Sequence, residues 1–309
     1  MITTIFKKST PINYTLTVLL LLVFYFLYLF QEHKPTVSQA DTLQKAAIFC
    51  LLLASLFICN FIAKKNALTK NSSYVILFFV LLLLFFPLVL KNLNLIIANF
   101  FILLAMRRLV SLQTLKAPKE KVFDASLWIF VASLFHFWAI LFIVLVYVSI
   151  IFHVSRDYRN WLLPFVAFFT VAVFFVCYSL LVHQPIIARF REVTQLSFDL
   201  DYFTNIYQNL ALSIFAVLAV YFVFNAIFTL TNRPLNLQAS YKKMIFAFFI
   251  GIAIFVLSPE KNSDILLFTF FPISVMATNS IEYSQATMKN EIVLALSIIA
   301  AIGCFFTQL

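Results

Sequence analysis

The chain alternates between long apolar runs and short polar breaks almost from end to end. A helix needs roughly 20 apolar residues to cross the hydrocarbon core of a bilayer. The runs at 12–30, 43–63, 73–90, 161–182 and 209–230 meet or approach that length, and shorter ones lie at 93–106, 244–257, 265–281 and 291–306. The run at 125–152 is overlong, since it would extend about 42 Å as one helix at 1.5 Å per residue. This pattern predicts an all-α, polytopic transmembrane helical bundle of nine to eleven membrane segments, with residues 1–309 as one domain. The first run follows Lys7 and Lys8, but it is longer than the apolar core of a signal peptide and no small-residue cleavage site follows it. It therefore reads as a retained span.

Charge decides how the overlong run is counted. Sixteen of the 22 Lys and Arg residues fall in every second loop, which marks those loops as cytoplasmic. Lys7 and Lys8 place the N-terminus inside, as do Lys64, Lys65 and Lys70 for the loop at 64–72. Arg107, Arg108, Lys116, Lys119 and Lys121 place 107–124 inside, and Arg233, Lys242 and Lys243 do the same for 232–243. Working back from there, 183–208 is outside and 153–160, with Arg156 and Arg159, is inside. The chain thus enters 125–152 from the cytoplasm and returns to it, so this stretch is a short helical hairpin turning near Ser133-Leu134-Phe135-His136. The alternative is a single tilted helix, which would put Arg156 and Arg159 outside. No Gly or Pro marks the proposed turn. The hairpin reading gives eleven segments, with the N-terminus in the cytoplasm and the C-terminus outside.

Composition narrows the function classes. The chain is 63% hydrophobic and 11% charged, with 40 Phe, whereas a soluble domain is roughly a quarter charged. Lipid must solvate the excess. Ionisable side chains are nearly absent from the spans, and Gly251 and Gly303 are the only glycines. Both features argue against a proton-coupled carrier, which needs intramembrane titratable groups and broken helices. Cys50, Cys59, Cys177 and Cys304 lie in apolar runs and read as packing residues. His33, His136, His153 and His183 do not pair as haem ligands, and no metal, nucleotide or nucleic-acid motif occurs. No cofactor is expected. The basic inner loops set topology and touch anionic lipid heads.

The outer face holds the candidate chemistry. Glu32, Asp41, Asp199 and Asp201 are candidate general bases for a hydroxyl. Arg189 and Arg191 have the fork geometry that grips phosphate. His136, at the hairpin tip, is either a hydrogen-bonded packing histidine or a general base or substrate contact at the outer surface. Charges at a membrane edge are also what an interface-anchored loop needs for solvation alone.

Two resemblances add to this reading. The opening Ile5-Phe6-Lys7-Lys8-Ser9-Thr10-Pro11-Ile12-Asn13-Tyr14, the stretches Phe123-Asp124-Ala125-Ser126 and Ala132-Ser133-Leu134-Phe135, and Arg159-Asn160-Trp161-Leu162-Leu163-Pro164 resemble an uncharacterised family of bacterial inner-membrane proteins of about this length. That resemblance implies a polytopic inner-membrane protein and no particular activity. In architecture the chain also resembles the superfamily C membrane glycosyltransferases and polysaccharide polymerases, and Ala132-Ser133-Leu134-Phe135-His136 looks like a segment of some polymerases. Those enzymes use polyprenyl-phosphate-linked sugars and carry a catalytic acid in the first outer loop, a position that Glu32 or Asp41 would take. This chain has no acidic pair directly after its first span.

Two functions of different classes follow. The first is handling, or glycosyl transfer, of a polyprenyl-phosphate-linked envelope glycan at the outer face. The second is a non-catalytic membrane scaffold or subunit of an envelope assembly or secretion complex, with other membrane proteins as partners. A passive lipid or small-molecule transporter is a third class.

Overall fold

The computed structural model describes residues 2–31, 39–182, 205–259, 261–284 and 287–309. Among them there are twelve α-helices and no strand. A short helix α1 (Ile2–Phe6) precedes α2 (Pro11–Gln31), α3 (Gln39–Lys65), α4 (Tyr74–Phe85) and α5 (Leu93–Val110). Then come α6 (Pro118–Phe135), α7 (Ile143–His153), α8 (Arg159–Val182), α9 (Ile206–Phe228), α10 (Leu235–Leu257), α11 (Leu267–Tyr283) and α12 (Thr287–Gln308). Eight helical stretches are long and apolar enough to cross a membrane, and Tyr74–Phe85 and Phe137–His153 are shorter apolar helices.

Two helices form the centre. Every residue of α4 is buried, as is all of α11 except Ser280, Glu282 and Tyr283. Around them stand α2, α3, α12, α5, α9 and α10, while α6, α7 and α8 form a flank beyond α5 and α10. Phenylalanine fills the centre. Phe86 stacks on Phe270 with centroids 6.1 Å apart and meets Phe215 edge-on at 5.3 Å. Such ring pairs add to simple area burial.

The overlong run is a hairpin. Helix α6 ends at Phe135, His136 is extended (φ −140°, ψ 106°), and a 3-10 segment (Phe137–Phe142) leads into α7. The extended region is open to any residue, which is why the turn needs no glycine. The chain then comes back on itself: Lys119, at the start of α6, pairs with Asp157, just beyond α7, at 2.9 Å.

Loops of the same charge class meet in space. At one end of the bundle, Lys70 N donates to Glu282 Oε2 (2.7 Å), Tyr241 to Leu68 O (2.8 Å), Lys243 Nζ to Leu109 O (2.6 Å) and Thr3 Oγ1 to Glu291 Oε1 (2.9 Å). These contacts join the Lys- and Arg-rich loops, so this is the basic end. At the far end, Asn92 Nδ2 donates to Asp264 Oδ2 (2.9 Å), Tyr25 to Lys45 O (2.7 Å) and Gln308 Nε2 to Phe85 O (2.9 Å).

Helix ends differ from the apolar runs where polar residues continue the helix. Helix α6 starts at Pro118 rather than 125, with Pro in the first turn and Glu120 beside it, a favourable start because Pro lacks the N–H that goes unpaired there and the carboxylate meets the helix dipole. Helix α10 starts at Leu235, so Lys242 and Lys243 are helical rather than in a loop. In the other direction, α4 stops at Phe85 because Pro87 pushes Phe86 out of the helical region (φ −133°, ψ 77°).

With so few glycines, other residues take strained positions. Helix α3 ends in a Schellman motif: Leu68 N donates to Ala63 O (2.9 Å) and Ala67 N to Lys64 O (3.1 Å). Its left-handed position is Ala67, at φ 53°, where an L side chain costs about 1–2 kcal/mol. Ala67 is exposed, so its methyl group contributes little packing. Ala67→Gly should therefore raise stability by about 1 kcal/mol, read as a higher thermal midpoint in detergent.

Gly251 serves the opposite need. A Cβ there would lie 2.6 Å from Thr269 Cγ2 and 3.3 Å from Thr269 N, so the hydrogen side chain lets α10 pack closely against α11. Gly251→Val should destabilise the bundle by about 1–3 kcal/mol, and the same thermal assay should show a lowered midpoint.

Candidate functional site

Three helix interruptions meet at the far end. The first is Phe86 to Asn92, between α4 and α5. Asn92 caps α5, its Oδ1 accepting from Leu95 N at 3.2 Å, which leaves its amide free to donate to Asp264. The second is the hairpin tip at His136, whose ring lies 5.6 Å from that of Phe268. The third is the stretch from Ser258 to the 3-10 turn Ser263–Leu266 that opens onto α11. Asp264 sits in that turn and is only 5% exposed.

Two adjoining hollows result, sharing Asn92, Asn262 and Asp264 as a common wall. One, of about 310 Å³, reaches His136, Trp138 and Ser258. The other, of about 590 Å³, reaches Gln44, Lys91 and Asn94. His136 Nε2 and Trp138 Nε1 are buried and meet no hydrogen-bond partner among the described residues. The cleft thus offers amide donors and acceptors, a carboxylate, an imidazole and an indole. This set suits a ligand rich in hydroxyl groups, because Asn and Gln each donate and accept while a carboxylate accepts at two oxygens. An indole adds a flat apolar face with a polar edge.

The residues singled out by sequence fare unequally. His136 lines the cleft. Asp41 lies in the first turn of α3, three residues before Gln44, which also lines it. Glu32, Arg189, Arg191, Asp199 and Asp201 lie outside the described residues. Asn92, Asn262, Asp264 and Trp138 went unrecognised. The available signals were a single short polar break at Lys91-Asn92 and one acid, Asp264, directly before the most buried span. Neither reveals the other, since the two are 172 positions apart.

The fold defines a multi-pass membrane protein built from a helical bundle, with polar groups gathered where helices break. Within that class, the chain belongs to DUF6427, a family of unknown function whose model matches residues 3–309. No curated protein and no solved structure matches it.

The Asn92–Asp264 bond ties two loops, and removing one partner leaves a buried acceptor short of a donor. Asn92→Ala should destabilise the protein by about 1–3 kcal/mol, lowering the thermal midpoint. Asn94→Ala, which alters the rim of the cleft without touching that bond, should shift it by less.

Proposed function

We propose that the chain sits in the cytoplasmic membrane of a bacterium with its basic end inside, and that the far end handles a polyprenyl-phosphate-linked glycan, glycosyl transfer being the reaction. The observation that carries this reading is the two-lobed cleft around Asn92 and Asp264. A sugar offers hydroxyls for Asn92, Asn262 and Gln44 and a face for Trp138. The apolar sides of the bundle give the polyprenyl chain a solvent continuous with the bilayer. Asp264 joins Glu32, Asp41, Asp199 and Asp201 as a candidate general base, while Arg189 and Arg191 are the candidates for phosphate.

A positioned general base contributes typically about 10²–10⁴-fold to a rate. In cells lacking the native gene, Asp264→Asn should therefore lower the glycan product by about a hundredfold or more, with the lipid-linked precursor accumulating. Unchanged glycan and glycoprotein profiles, both in this variant and with Glu32, Asp41, Asp199 and Asp201 all replaced by Ala, would sink the proposal.

The second reading, a non-catalytic scaffold or complex subunit, is favoured by α8. That helix packs chiefly on α6 and leaves Phe165, Phe169, Val173 and Phe174 more than half exposed. It predicts a stoichiometric partner on purification in mild detergent, lost when Phe169 and Phe174 are replaced by Ala.

A further inference from the structure

Four side chains converge at the basic end, on the seam between α2 and α3. Lys64, in the last turn of α3, donates from Nζ to Ser9 Oγ and to Tyr14 OH. Asn60, one turn earlier on α3, donates from Nδ2 to the same Tyr14 OH at 3.1 Å. Ser9 Oγ and Tyr14 OH lie 2.7 Å apart. Ser9 belongs to the turn that links α1 to α2, and Tyr14 to the first turns of α2.

Counting lone pairs resolves which hydroxyl donates. A hydroxyl oxygen has two acceptor sites. Those of Tyr14 are taken by Lys64 and Asn60, so Tyr14 must donate its proton to Ser9. Ser9 Oγ then accepts from both Lys64 and Tyr14 and is full, leaving its own proton unused. Lys64 has three N–H groups and spends two here. Two adjacent donors therefore remain: the Ser9 hydroxyl proton and the third ammonium proton of Lys64.

The charge is also uncompensated. Every acceptor around the half-buried Lys64 is neutral, and no carboxylate reaches it among the described residues. Nearby, Lys65 and Arg107 both lie over the Phe61 ring, at 4.9 and 5.0 Å, adding positive charge. Beside the cluster the surface is apolar: Phe57 and Phe61, on the face of α3 that carries Asn60 and Lys64, are exposed, as is Leu22, about two turns along α2 from Tyr14. A partly desolvated ammonium with two spare donors at the head of an apolar seam calls for an anionic, oxygen-rich group carried on hydrocarbon.

We infer that Ser9 and Lys64 bind the phosphate of an anionic phospholipid, with its acyl chains against α2 and α3. The Ser9 hydroxyl and the Lys64 ammonium each donate to a phosphate oxygen, and Tyr14 and Asn60 hold them in place. This site is independent of the far-end cleft and of the glycan reading.

The test uses the full-length protein in mild detergent, titrated with phosphatidylglycerol or phosphatidylcholine and read by native mass spectrometry. Wild type should prefer phosphatidylglycerol by about tenfold or more. Ser9→Ala and Lys64→Gln should each abolish most of that preference, whereas Lys65→Gln, a neighbouring cation outside the cluster, should change it less than about twofold. Ser9→Ala is the decisive variant, because it removes an outward donor and leaves the charge. A Ser9→Ala protein that keeps the wild-type preference, whatever its melting temperature, would overturn the assignment. So would equal binding of the two lipids by wild type. Inorganic phosphate that binds as tightly as the lipid would show that the acyl chains are not recognised, and would overturn it as well.

Discussion

Hydrocarbon offers no partner to a backbone N–H or C=O, so every interruption of a helix inside a membrane has to be satisfied by the protein itself. The architecture follows from that constraint. Chain breaks at Phe86, His136 and Ser258 all fall at the far end, where they pack against one another rather than against lipid. Ala139 N donates to His136 O at 3.0 Å and Val89 N to Phe86 O at 3.1 Å, so two of the breaks are closed at once by a tight turn, and Ile265 N donates to Asn262 O at 3.2 Å to close the third four residues beyond Ser258. The cleft is the space these turns leave between them. Its polar lining and its position have one cause, since each turn sets backbone and side-chain polar groups where its neighbours can meet them.

The centre of the bundle obeys a second constraint, that of packing with almost no glycine, although Ala211, Ala219 and Ala277 are buried there. Glycine normally lets membrane helices approach closely. Here the rings of Phe79, Phe86, Phe215 and Phe270 fill the space between α4, α9 and α11. Gly251 is the exception, at the point where Thr269 would otherwise collide with a side chain. A centre filled with aromatic rings weighs against the transporter class among the described residues, because α4 and α11 are buried along their length by side chains rather than by a polar path.

What the sequence discloses depends on whether the relevant physics is periodic along the chain. Hydropathy and charge are, so the polytopic helical bundle and the turn at His136 follow from the apolar runs and the positions of Lys and Arg. Helix ends are not, because Pro118, Lys242 and Lys243 extend helices with polar residues that a hydropathy run excludes. The cleft is less legible still. Asn92 reads as an ordinary helix cap and Asp264 as an ordinary loop acid until the fold brings them within 2.9 Å of each other. His136 was accessible because it lies where charge alternation demands a turn. Trp138, two residues on, belongs to the same cleft but carries no charge signal.

The two ends of the bundle use their polar groups differently, and this bears on where a ligand belongs. At the basic end most cations are engaged by the protein itself. Lys243 donates to a helix-end carbonyl, Arg233 lies 3.4 Å from the Tyr283 centroid and 4.9 Å from that of Tyr241, and Lys121 donates to Ser111 O at 2.7 Å. Such contacts hold loops together and satisfy the carbonyls that helix ends leave open. Their density therefore reflects membrane topology more than recognition of a polyanion. Among the described residues, the far end has fewer charges, but its imidazole and indole nitrogens are buried beside open space without a protein partner. Buried polar groups are retained where something satisfies them, which makes the far-end cleft the place to seek the hydroxyl-rich ligand proposed above.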